Sequence, residues 1–262
     1  MPFELSGFLA NHTTWVAQIR QKHRPWFDLI TKINRFAMSM LLREVPKVAE
    51  ELFAAALYAR SVGMFQGAIL LTERGMAAES RTLVRACAET AIALGCSRRQ
   101  KSFLEQLDED HDKSRVAAAN DLLGLPEDDP NLSSTQRADL QRLIAEIAAR
   151  YEHPHPRRIN WAIAASTAAM TDLYLTVYRQ TSGDAAHVTL NSLNRHIVSD
   201  AAGNIMGFKF SPTLDGIADT LSASIAALLC ATEAKLRGIG DAGADQALRT
   251  LMLEWSALEV PG

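Results

Sequence analysis

Cysteine is scarce in this chain. Three occur among 262 residues, Cys87, Cys96 and Cys230, and no two are spaced as Cys-x-x-Cys. That excludes a disulfide scaffold and a cysteine-built zinc site. An odd, sparse set of thiols in apolar helical sequence suits a reducing cytoplasm, with all three buried. Aromatic residues make up only 6%. Val, Ile, Tyr and Phe do not gather in alternating runs, which excludes a large sheet. Neither sign of charge dominates: 27 Lys and Arg stand against 30 Asp and Glu, a net −3. No basic domain is available for strong non-specific nucleic-acid binding. The opening residues lack a basic segment followed by an apolar one. The most hydrophobic stretches, 161–170 and 225–231, are too short to span a bilayer and are closely flanked by Asp172, Asp219 and Glu233. The expectation is a soluble, cytoplasmic protein with no membrane partner. Gly63, Gly67 and Gly75 precede no Gly-Lys-Ser or Gly-Lys-Thr, so they form no phosphate loop. No Gly-x-Ser-x-Gly elbow occurs either.

What the chain does have is apolar helical sequence. Hydrophobic residues make up 48%, enough for one large core. The pattern predicts an all-α fold: an antiparallel helical bundle (48–262) with an N-terminal helical extension (1–47) and one small β-hairpin near 195–210. The extension holds a helix at 4–23 and another from Pro25, kinked or restarted at Pro46. The bundle core is expected from four long helices, 48–74 (ending at Gly75), 76–98, 160–180 and 212–237. Further helices are expected at 102–123, 133–151 and 242–258, the second capped by Ser133 or Ser134. Thr181, Ser182, Gly183 and Asp184 break the pattern before a short helix at 185–194, which Pro212 and its long helix follow.

Two places carry chemistry. The first is the helix 82–94, in which Arg85 and Glu89 lie four residues apart and Glu89 is the only charge between Arg85 and Arg98. Met76, Leu83, Cys87, Thr90 and Leu94 form one stripe, with the pair roughly opposite among Ala88, Ile92 and Cys96. A charge pair in such a setting is costly to bury. It either fixes helix register or faces a pocket. The second is Tyr174, Tyr178, Arg179, Ser182, Asp184 and His187. Ser182 or Asp184 would cap the following helix and put His187 in its first turn. A neutral imidazole and free backbone N–H groups there suit an anion.

The segments 78–89 and 178–187 together resemble a bacterial all-α family known only as the domain of unknown function numbered five-six-seven-seven. The likeness lies in an Arg-x-x-x-Glu helix, a Tyr…Ser…His junction, a polar segment with Gly203 and a long helix led by Pro212. It spans about 52–237. The resemblance implies a helical fold and one shared polar site built from Arg85, Glu89, Tyr178, Ser182, Asp184 and His187, which Arg85 and Glu89 would face. It implies no activity. The chain is also similar, more distantly, to helical nucleases of the HEPN type, which place a His a few residues after an Arg near a helix start. Here seven residues separate Arg179 from His187. That resemblance implies a metal-independent ribonuclease, a toxin or defence component. In it Arg179 would clamp phosphate, His187 would move a proton, and two subunits would build the site.

Other charged stretches read as scaffolding. Asp108, His111 and Asp112 share a helix face, but without a second ligand set they make a solvated surface. His153, His155, Arg157 and Arg158 form a rigid exposed loop. No metal and no cofactor is expected. The expected partners are a second copy of the chain, in a dimer, and a small anionic ligand or RNA. The function expected first is binding or interaction through the polar cluster, with the ribonuclease as alternative.

Overall fold

The computed structural model describes residues 7–10, 13–41, 48–153, 155–185, 190–237 and 239–258. Within them the protein is all-α, with a single small antiparallel hairpin. After a 3-10 turn at Gly7–Leu9, α1 (Thr13–Lys22) and α2 (Arg24–Leu41) are followed by α3 (Ala49–Thr72) and α4 (Ala77–Ser97). α5 (Phe103–Leu123) and α6 (Ser134–Ala148) form an outer pair. α7 (Trp161–Ala168), α8 (Thr171–Leu173), a π-helical turn (Tyr174–Tyr178) and α9 (Arg179–Ala185) follow. Then come α10 (Leu190–Asn194), the strands β1 (Ile197–Ser199) and β2 (Ile205–Phe208), α11 (Ile217–Leu236) and α12 (Ala242–Ser256).

The core forms around α4. It packs on α3, α11, α7 and α9, and from Thr90 to Cys96 every one of its residues is buried. Small residues permit this crowding. A Cβ on Gly67 would meet the Leu83 side chain at 2.8 Å, and one on Gly95 would meet Ala168 at 2.9 Å. α2 presents Trp26, Phe27, Leu29, Ile30, Ile33, Ala37 and Met40 to the same core. Buried hydroxyls within helices return a hydrogen bond to the carbonyl one turn back, as Thr72 does to Ala68 and Thr232 to Leu228.

Local chemistry sets the ends of the elements. Ser133 and Gln136 close a capping box at α6, Asn160 accepts from the first amides of α7, and Asp241 caps α12. Gly75, at φ +76°, turns the chain between α3 and α4, and its carbonyl accepts from Thr213 N–H at 3.1 Å. A Cβ there would lie 2.9 Å from that same nitrogen.

Several boundaries differ from the sequence reading. The helix expected over 160–180 is interrupted at Ala169, which adopts a left-handed φ of 56°. The break expected at Thr181–Asp184 does not occur, because α9 runs through Gly183 to Ala185. Hydrogen bonds from the preceding turn carry it across: Thr181 and Ser182 bond back to Val177 and Tyr178. Pro212 does not open α11, which starts at Ile217 after a turn with Gly216 at φ 68°. Pro46 lies outside the described residues. α3 and α11 are each long and apolar enough to cross a membrane by length and composition, unlike the shorter stretches singled out from sequence. Both lie against α4 in the core.

Candidate functional site

α4 and the segment 171–185 build the site between them. Arg85 reaches from the middle of α4: its Nε donates to Ser182 Oγ at 3.2 Å and its Nη2 to the Tyr178 hydroxyl at 2.9 Å. The guanidinium carbon also stands 4.6 Å from the Tyr178 ring centroid, within cation–π range. Ser182 completes the link by donating to the Tyr178 carbonyl at 2.6 Å. Tyr178 stacks on Tyr174 with ring centroids 5.2 Å apart, and Trp161 from α7 lies 6.4 Å from Tyr178. An aromatic shelf therefore backs the arginine.

The π-helical turn accounts for this alignment. Arg179 N–H donates to the Tyr174 carbonyl, five residues back. The wider turn sets Tyr174, Tyr178 and Ser182 along one side toward α4. Such turns often lie at functional sites.

Glu89 sits one turn beyond Arg85, with a nearest nitrogen-to-oxygen distance of 4.0 Å and side chains 24% (Arg85) and 34% (Glu89) exposed. The pair is thus neither tightly bonded nor sealed. Burial is the largest influence on the Glu89 carboxyl and raises its pKa above the usual range, against the pull of Arg85 and Arg60. Burial likewise raises the Tyr178 hydroxyl, although Arg85 favours its ionised form. Arg81, one turn before Arg85, donates to Thr220 on α11 at 3.2 Å. The sequence reading passed over Arg81 and Trp161. Helical spacing from Arg85 was the available signal for the first, and position next to the Asn160 cap for the second.

The remaining candidates fall elsewhere. Arg179 is exposed and bonds to no described residue through its side chain. Ser182 is interior to α9 rather than a cap. Asp184 lies within α9, and its side chain is outside the described set, as is all of His187. Ser182 and Asp184 therefore cap no helix that begins at residue 185, and the anion-binding helix start expected there is absent from the described residues. Cys87 and Cys96 are buried, whereas Cys230, expected to be fully buried, is only partly so. Burial pushes the Cys87 and Cys230 thiols up to about 12 and Cys96 to about 11, leaving none as a nucleophile at neutral pH.

The acidic run on α5 is more than a solvated face. Asp112 is fully buried and binds Arg115 at 2.9 Å, Arg150 at 3.1 Å and the Tyr151 hydroxyl at 3.0 Å. Glu109 holds His153 and the Arg157 amide, and Asp110 holds the Ile159 amide. These bonds strap His153 and the segment 155–159 to α5. Among the described residues, no group of His, Cys, Asp and Glu is arranged to hold a metal ion. A cleft of about 310 Å3 between α4, α5 and α7 is lined by Gln100, Phe103, Gln106, Arg157, Asn160 and Thr167 and includes neither Arg85 nor Glu89.

Residues 51–205 match the model of a family of unknown function, DUF5677. The chain belongs to that family. The matched span covers more than half of the chain and contains Arg85, Glu89, Trp161, Tyr174, Tyr178 and Ser182. No characterised protein and no solved structure matches the chain.

Proposed function

We propose that this DUF5677 protein is a cytoplasmic binding protein whose Arg85 site takes a small anionic ligand. One observation carries the reading. Arg85 uses Nε and Nη2 within the cluster, but its Nη1 has no hydrogen-bond partner among the described residues, and its side chain is 24% exposed. A guanidinium held on two edges and open on the third is preorganised for a carboxylate or phosphate oxygen. Arg60 and Arg85 both draw the Glu89 carboxyl toward its ionised form, with Asp110 opposing them, and the aromatic shelf can cover an apolar or planar part of the ligand.

The test is titration with inorganic phosphate and with adenosine monophosphate, followed by tryptophan fluorescence, with Trp161→Phe as control for the reporter. Saturable quenching that Arg85→Gln weakens at least about tenfold is expected. No saturation by either probe, or equal binding by Arg85→Gln, would overturn the reading.

The ribonuclease reading draws on the readily protonated Glu89 beside an arginine, a pairing suited to proton transfer. Arg179, which the HEPN resemblance would place on phosphate, makes no contact with the cluster. Cleavage of RNA in EDTA, lost on His187→Ala, would favour this alternative over simple binding.

A further inference from the structure

The hairpin is the least covered apolar element in the described protein. β2 is exposed along its whole length, with Ile205 at 73%, Met206 at 68% and Phe208 at 81%. Val198, Phe210, Leu190 and Leu193 beside it are also exposed. At about 200 Å2 for a fully exposed large apolar residue, these side chains and their backbone leave on the order of 700–900 Å2 uncovered. Summed over both faces of the hairpin and α10, that is about one partner's share of a standard interface.

The strand edge is open as well. β1 pairs antiparallel with β2, Ile197 opposite Phe208 and Val198 opposite Gly207, and no other strand pairs with either among the described residues. Lys209 donates its N–H to the His196 carbonyl. Phe208, one residue earlier, therefore turns its own N–H and C=O to the unpaired side, whereas Met206 is the extra residue of a bulge opposite Val198 and Ser199, where the alternation breaks. Monomeric proteins blunt such edges with charge, proline, a bulge or a covering element. β2 reads Ile-Met-Gly-Phe: it has a bulge at Met206 but no charge and no proline, and the edge at Phe208 lies beyond the bulge. A two-stranded hairpin exposed on both faces is also marginal by itself.

We propose that β2 is the surface on which a second copy of the chain docks. The strand is neutral, so it offers no charge to select an acidic or basic partner, but it is complementary to itself. Antiparallel pairing about a twofold axis at Phe208, whose backbone faces the open side, would set Phe208 of each copy against Phe208 of the other and extend the hairpin to a four-stranded sheet. Two aromatic rings make a favourable cross-strand pair. This surface is separate from the Arg85 site and stands whether or not that site binds an anion.

Sedimentation velocity of the purified full chain, from about 1 to 100 µM, tests the proposal. Wild type is expected to dimerise. Phe208→Lys places like charges directly across the axis and Met206→Lys adds a charge to the same apolar edge; each is expected to raise the dimer dissociation constant at least about tenfold. Far-UV circular dichroism, and Tm measured at a concentration where every form is monomeric, should stay at the wild-type values, because both side chains are exposed in the monomer. A wild-type chain monomeric throughout that range would overturn the proposal, and so would a dimer that the two substitutions leave intact.

Discussion

Arg85 and Glu89 share a face of α4 without sharing a hydrogen bond: their closest approach is 4.0 Å, while Arg85 spends its donors on Tyr178 and Ser182. The carboxylate is left half-desolvated beside a cation that is already engaged. Folding therefore favours its protonated form.

That arrangement sets the sign of a pH effect. A carboxyl whose pKa is raised on folding stabilises the protein below its unfolded pKa, and this contribution is lost as pH rises through the folded value. Glu89→Gln should match wild type in acid and gain relative stability as pH rises past the usual carboxylate range. Urea unfolding of both proteins between pH 4 and 8 measures it; a Gln variant that becomes relatively weaker with rising pH contradicts it.

Glu51 and Arg98 give the opposite sign. Glu51 at the start of α3 receives two hydrogen bonds from Arg98, the residue following α4, and these hold its carboxyl below the usual range. Its contribution is present above the unfolded pKa and disappears as pH falls through the folded one. Because the Glu51 side chain is 45% exposed, Glu51→Gln should cost only about 0.5–1.5 kcal/mol at neutral pH, with the difference closing in acid.

Tyr178→Phe separates the hydroxyl from the ring. The ring keeps its place under Arg85, but the Nη2 donor loses its acceptor. Stability should fall by about 0.5–1.5 kcal/mol. Phosphate affinity should change in the same assay that tests Arg85→Gln, whereas a purely structural tyrosine would alter the unfolding curve alone.

Asp112 is expected to be a scaffold residue. Asp112→Ala removes the shared acceptor of Arg115, Arg150 and Tyr151, whose polar ends can still reach water. A loss of about 1–3 kcal/mol follows, with phosphate binding unchanged. Gly95→Ala should cost a similar amount, about 1–3 kcal/mol, by overpacking α4 against Ala168 and Met170. Thermal unfolding checks both.

The sequence carried the helical architecture well because it rests on periodic apolar faces and capping residues. Ser133 and Gly75 were legible as the ends of helices, and the hairpin as a short β segment near 195–210. Arg85 was conspicuous as a charge in an apolar helix, and the Tyr178–Ser182 segment as a polar junction. The break at Ala169 was not legible, since alanine favours helix and only tertiary packing holds it left-handed. The continuation of α9 through Gly183 was missed because glycine and serine suggest a turn in isolation. Here the hydroxyls of Thr181 and Ser182 bond back along the helix. Asp112 reads as solvated in the sequence because its cations, Arg115 and Arg150, lie 3 and 38 residues away, and only the fold brings the second one in.

The π-helical turn at Tyr174–Tyr178 amounts to one surplus residue in an otherwise regular helix. Each α-helical residue advances about 100° around the axis. Excising an exposed member such as Thr176 would restore regular winding and swing Ser182 away from Arg85, or drag Tyr174 off Tyr178. The two halves of the cluster are thus phased by an insertion, and the spacing from tyrosine to serine would be sensitive to length as well as to residue identity.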